Sequence, residues 1–174
     1  MSKIDSFVSS REALLNSEQT AAQILDHFIA KIQQHQEINA FLEVFQESAK
    51  AKAKEIDQKL ADGKALGRLA GMVVSIKDNI CYQGHKVSAA SHILEDFESL
   101  YSSTVVERLL AEDAMIIGRT NCDEFAMGSS NENSYYGNVL NPLNQKATPG
   151  GSSGGASASV AAGLCHLSLG SDPG

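Results

Sequence analysis

An α/β fold, with helices packed on a short sheet and a helical lead-in over residues 1–66, is what three features of this chain predict. The first is a strand, helix, strand alternation between residues 72 and 117, the pattern of layered α/β proteins. The second is a pair of helical apolar stripes ahead of it, over residues 20–61. The third is composition: of 174 residues, 43% are hydrophobic but only 6% aromatic and none is Trp, so Ala, Val, Ile and Leu must fill the interior. A chain of this length suits one domain with a sizeable core.

Each element has a local reason. Thr20 and Gln23 have capping-box spacing, and Ile24, Leu25, Phe28, Ile29 and Ile32 recur at helical intervals, which predicts a helix over about 20–36. Residues 40–45 read as a short extended segment. A second helix is predicted over 47–61, with Ala49, Ala53, Ile56 and Leu60 on one stripe and Gly63 as its stop. Met72 to Ile76 form an apolar, β-branched run expected of a buried strand, with Lys77 and Asp78 at its C-terminal end. Thr104 and Glu107 suggest another capping box, opening a helix whose Val105, Val106, Leu109 and Leu110 face one way; Met115 to Ile117 supply the next strand, before Gly118. Residues 121–141 are polar and turn-rich, residues 153–163 read as a small-residue helix, and 164–169 as a further strand. No repeat or flexible linker divides the chain, which predicts one domain over 1–174.

Charge and cysteine usage narrow the function. A formal charge of -7 disfavours a chain that wraps nucleic acid unaided, because phosphate binding needs a clustered basic surface. Cys81, Cys122 and Cys165 are odd in number and never spaced as C-x-x-C, so neither a disulfide framework nor a zinc site is indicated; a reducing cytoplasm is the expected compartment. The five histidines have no metal-ligand spacing. The N-terminus has no apolar leader core and no stretch has the length of a membrane span.

Candidate chemistry lies in two places. A lysine ending an apolar strand, such as Lys77, either snorkels into water or sits in a dry pocket, where burial disfavours its charged form and a neutral amine can act as a base. The run Gly150-Gly151-Ser152-Ser153-Gly154-Gly155 offers a serine partner on backbone that glycine leaves free to adopt unusual dihedrals. Ala156, standing where a nucleotide-binding loop has Lys, excludes that type of phosphate site. A plain Gly/Ser turn capping a helix fits the same residues equally well when they are taken alone.

Together these motifs are more specific. Residues 67–174 resemble the amidase-signature family, whose lysine-bearing strand end is similar to Ser75-Ile76-Lys77-Asp78-Asn79 and whose glycine/serine signature is similar to residues 150–155. The stretch Asn121-Cys122-Asp123-Glu124-Phe125-Ala126-Met127-Gly128-Ser129-Ser130-Asn131-Glu132-Asn133-Ser134 looks most like the tRNA-dependent amidotransferase branch of that family. The resemblance implies a mixed β-sheet core flanked by helices and a Ser-cis-Ser-Lys triad. In it Lys77 is the base and Ser152 the bridging serine, with the cis peptide at Gly151-Ser152. Ser153 would support the network by hydrogen bonds, and Met127, Gly128 and Ser129 would lie beside the substrate's amide.

For the complete protein the resemblance further implies glutamine hydrolysis and delivery of ammonia to partner subunits B and C. There mischarged Glu-tRNA(Gln) or Asp-tRNA(Asn) would be amidated with ATP and Mg; no cofactor is expected to be bound by this chain. The family's following motif is Gly-Ser-Asp-Thr-Gly-Gly-Ser, whose last serine is the nucleophile, whereas Gly170-Ser171-Asp172 is followed here by Pro173 and Gly174. The fold is thus expected to be incomplete and the chain by itself inactive or nearly so. Pro173, lacking an N–H, would also remove an oxyanion donor of a kind worth about 3 kcal/mol. A stand-alone amidase acting on small amides and a noncatalytic remnant are the alternative expectations.

Overall fold

The computed structural model of the protein describes residues 5–172, so Pro173 and the oxyanion expectation attached to it lie outside the described residues. A four-stranded mixed sheet in the order β1-β3-β2-β4 forms its centre. Strand β2 (Val73–Lys77) runs parallel to both β3 (Met115–Thr120) and β4 (Leu167–Leu169), while β1 (Phe41–Val44) pairs antiparallel with β3. The two central strands are buried along their whole length, as their continuous apolar runs require.

Helices cover both faces. Helices α2 (Ala21–Gln34), α3 (Gln46–Ala61) and α5 (Gly154–Ala161) belong to one core with Val73, Met115, Ile117 and Leu164. On the opposite face Val106 of α4 (Thr104–Ala111) joins Phe45, Ile76 and Ile116 in a smaller cluster. Period-two alternation along β2 decides which side chains meet α5. Ser75, two positions before Lys77, donates to Ser168 Oγ at 2.7 Å and lies 3.4 Å from Ser159 Oγ of α5.

The capping box at Thr20 is present: Gln23 N–H donates to Thr20 Oγ1 at 3.1 Å and Thr20 N–H to Gln23 Oε1 at 2.9 Å. The one expected at Thr104 is not. Ser103 precedes the helix with no side-chain cap bond, and Thr104 is already its first residue. Val105 is 41% exposed while Val106 is buried, since neighbours on a helix are about 100° apart and cannot share a face.

The β3 strand continues through Gly118, where β1 crosses so closely that a Cβ would lie 3.0 Å from Phe41 Cδ1 and closer to the Glu43 carbonyl. The lead-in adds more than helices, since β1 extends the sheet. It also contains an unexpected helix, α1 (Phe7–Leu15), which buries Ser10, Ala13 and Leu14 but leaves Val8 and Leu15 exposed, and so has no apolar stripe to read.

Candidate active site

Lys77 ends β2 on the face that α5 covers, and its side chain is fully buried. Its Nζ donates to Ser152 Oγ at 2.7 Å and to Ser171 Oγ at 2.9 Å, with a longer bond to the Ser171 carbonyl at 3.4 Å. Burial holds the amine below its ordinary pKa, against the upward pull of Asp123 and Asp172 among its neighbours. An ammonium that releases its proton readily beside a hydroxyl is the pairing that base-assisted serine chemistry needs.

Ser152 is positioned by backbone. The Gly151-Ser152 peptide is cis, as the resemblance implies, and Gly150 has φ of 81°, open to glycine at no steric cost. The Ser152 carbonyl accepts from Asp123 N–H at 3.0 Å, which ties the turn to the strand exit after β3. Ser153 bonds Ser171 reciprocally: its Oγ donates to the Ser171 carbonyl at 3.0 Å and accepts from Ser171 N–H at 3.2 Å. Lys77, Ser152 and Ser153 are therefore brought together, with Ser171 as a fourth member.

The segment 127–129 lies on the exposed side of this cluster. Ser129 and Ser130 backbone rests on Gly151, where a Cβ would stand 2.6 Å from Ser130 N and 2.8 Å from Ser129 C. Met127 is 71% exposed, and no bond joins its side chain to Lys77 or Ser152. Asp123 braces both parts, its carboxylate accepting from Asn131 N–H at 3.0 Å beside Gly128 and Gly151.

Sequence reasoning missed Ser171 and Asn79, whose Nδ2 donates to Ser171 Oγ at 2.9 Å. The signal available was the placement of Asn79 two residues after Lys77. It also assigned nothing to Asp78 and Arg119. Asp78 is 1% exposed, and its carboxylate accepts from Arg119 Nη1 at 2.6 Å, Ser88 N–H at 3.1 Å, Ser88 Oγ at 2.5 Å and Ala90 N–H at 2.8 Å. Ala89 and Ala90 have φ of 48° and 53°, a left-handed pair costing alanine about 1 kcal/mol or more each.

Cys122 is adjacent but inert: burial, then the charge of Asp78, pushes its thiol up to about 12. Cys165 is likewise raised by burial. Among the described residues no group of His, Cys, Asp and Glu is arranged to hold a metal, and no helix is long and apolar enough to cross a membrane.

A buried lysine hydrogen-bonded to a serine on a cis glycine-serine turn defines a serine-dependent amide-hydrolase type of site, and the comparisons agree with it. The Amidase family profile matches residues 23–174, and the chain belongs to that family. It is 48% identical over 169 residues to the A chain of the glutamyl-tRNA(Gln) amidotransferase of Chlorobium phaeobacteroides, covering 97% of this chain and 36% of that relative. A solved structure described as a vestigial protein complex that reveals the origins of an s-triazine catabolic enzyme superposes with a TM-score of 0.92 at 36% identity. The match covers 96% of this chain and 37% of that one. The corresponding component of the Thermotoga maritima glutamyl-tRNA(Gln) amidotransferase matches with a TM-score of 0.71 and 32% identity, over 86% of this chain and 30% of its own. The chain thus spans little more than a third of the relatives it matches.

Proposed function

We propose that the complete protein is the glutamine-hydrolysing component of a tRNA-dependent amidotransferase, with Lys77 as its base and Ser152 as its bridging serine. The observation that carries this reading is the 2.7 Å bond between a fully buried Lys77 amine and Ser152 Oγ. The relatedness to the matching amidotransferase components selects glutamine among amides.

In the chemistry proposed, neutral Lys77 Nζ takes the proton of Ser152 Oγ, and Ser152 takes that of the nucleophilic serine, which the family motif places beyond Asp172. The serine oxygen bonds to the glutamine carboxamide carbon. Collapse of the tetrahedral adduct breaks the C–N bond, and the proton returns through Ser152 to the departing ammonia. Water then releases glutamate from the acyl-enzyme by the same proton route in reverse. Ammonia passes to subunits B and C, which would handle ATP, Mg and the mischarged tRNA in the cytoplasm; a charge of -7 on this chain fits that division.

Ammonia release from glutamine by the assembled complete protein tests the reading. Ser152→Ala is expected to lower it roughly 10³-fold; release at the wild-type rate would sink the proposal. The 174-residue chain alone is expected to release little. Release at the complete protein's rate, lost on Lys77→Ala, would mean that a serine within it takes the acyl group, Ser171 first in line at 2.9 Å from Lys77. A stand-alone amidase is the second reading, favoured by the 0.92 TM-score to the s-triazine-related complex; copurification of subunits B and C would exclude it.

A further inference from the structure

One buried polar cluster is not used by the proposed chemistry, yet touches the site from two directions. Asp78 follows Lys77 directly, and the next position along β2 turns its side chain away from α5 toward the turn at residues 88–90. That turn is a two-sided bracket. Its N–H groups point at Asp78: Ser88 and Ala90 donate to the carboxylate, and Ala89 donates to the Asp78 carbonyl at 2.9 Å. Its carbonyls point the other way. The Ala89 carbonyl accepts from Phe125 N–H at 2.8 Å and the Ala90 carbonyl from Tyr135 N–H at 3.0 Å.

Those two bonds grip the segment 125–135 near its ends, and Met127, Gly128 and Ser129 lie between them. The bracket depends on two alanines in left-handed conformation, φ 48° and 53°, which alanine does not adopt without external fixing. Asp78 supplies that fixing, and Arg119 holds Asp78. The guanidinium, 6% exposed, bonds Asp78 through Nη1 at 2.6 Å and Glu43 through Nε at 2.9 Å; Nη1 also reaches Ser88 Oγ at 3.1 Å. Asp78 N–H donates in turn to the Thr120 carbonyl at the end of β3.

We propose that Asp78 is a positioning residue of this site: through the 88–90 turn it sets the 127–129 segment at the spacing from Lys77 and Ser152 that an amide substrate needs. The inference rests on the proposed function, in that it takes 127–129 as the side of the site that meets substrate. It assigns Asp78 no proton transfer. A carboxylate filled by four donors, one of them a guanidinium, is fixed in place, and rigid support of this kind separates a productive site from one that is merely present.

The test uses the complete protein carrying Asp78→Asn, which keeps the shape but puts an amide N–H against donors. Hydrogen exchange of peptides spanning 121–137 is expected to quicken roughly tenfold or more, with peptides from α2 and α3 unchanged. Glutamine KM is expected to rise roughly tenfold with a smaller fall in kcat, because Lys77 and Ser152 retain their own contacts. Unchanged exchange in 121–137, or a loss confined to kcat, overturns the proposal. If Asp78→Asn does not fold, Ser88→Ala removes one donor and is expected to give the same pattern with smaller amplitude; wild-type exchange and KM in that variant overturn it equally. Lys77→Ala separates the two readings: it is expected to abolish turnover without altering exchange in 121–137. Turnover surviving Lys77→Ala would defeat the proposed function, while the exchange measurement would still decide the role of Asp78.

Discussion

Asp113 and Lys77 are both buried charged residues next to the ends of central strands, and the fold treats them in opposite ways. Asp113, 1% exposed just before β3, meets Lys59 at 2.7 Å, Lys52 at 2.9 Å and the Gly67 N–H at 2.8 Å. Burial by itself would raise its pKa, but these bonds carry it down to about 2. Lys77, 0% exposed at the end of β2, directs its hydrogen bonds to two hydroxyls and a carbonyl, and burial lowers its pKa. A charge bonded by opposite charges is locked. One bonded by hydroxyls can lose its proton without breaking the pattern, because a neutral amine and a hydroxyl still bond with the donor reversed. The same sheet therefore carries a structural charge at one edge of its core and a labile proton at the other.

The largest effect that could break this contrast is at Lys77. Lys77→Met is expected to lower ammonia release by the complete protein roughly 10³-fold, yet to leave folding unharmed or strengthen it by about 1 kcal/mol, since an apolar side chain suits a buried site. The pH dependence has a definite sign. The folded pKa lies below the ordinary 10.5, so between the two the unfolded chain binds the proton more readily and wild-type stability climbs as pH rises through that window. Urea titrations of wild type and Lys77→Met across alkaline pH should show the climb in the first and its absence in the second. A variant with strongly reduced stability would place Lys77 in the same class as Asp113.

What made Lys77 legible is its place on a short apolar run, where alternation and length identify strand, face and end at once. Ser152 and its cis peptide came from the motif, because no periodicity marks a turn. The strands and helices from 20 to 61 and from 72 to 169 were readable for the same reason, with edges shifted by a residue or two, as at Gly118 and Thr104. The contacts that complete the site were not readable. Ser171 lies 94 positions from Lys77, Arg119 lies 41 from Asp78, and the left-handed Ala89 and Ala90 carry residue types that avoid that conformation. Long-range pairing leaves no local spacing to detect. Helix α1 was hidden differently: its buried Ser10 and Ala13 are small and its large Val8 and Leu15 face water, which inverts the usual signal.

Next in size is Asp113. Asp113→Asn keeps an acceptor for Gly67 N–H and tolerates the left-handed φ of 63°, but strands two ammonium groups. The lysine side chains are 13% and 30% exposed, so water can relieve them, and the expected cost is about 2 kcal/mol, below that of a fully buried break. The wild-type carboxylate has a folded pKa of about 2 against an ordinary 3.8, so its contribution is complete above about pH 4 and is lost as pH falls toward 2. Denaturant midpoints from pH 7 to pH 2 should converge for wild type and Asp113→Asn at the acid end. Midpoints that differ equally at both ends would show that charge is not what Asp113 contributes.

The smallest effect sharpens the comparison further. Glu55 bonds the same two lysines, Lys59 at 2.8 Å and Lys52 at 3.0 Å, but its side chain is 50% exposed. Distances alone would rank it with Asp113; exposure predicts otherwise, since water screens the pair and offers both partners an alternative. Glu55→Gln is expected to cost less than about 0.5 kcal/mol in urea unfolding at moderate salt. The double variant carries the sharper information. With Asp113 already Asn, both lysines have only Glu55 left, so removing Glu55 should then cost more than it does in wild type, by about 0.5 kcal/mol or more of coupling. Strict additivity would mean that the lysines are satisfied by water whichever acid is present, and that burial of Asp113, not its pairing, sets its acid-labile contribution.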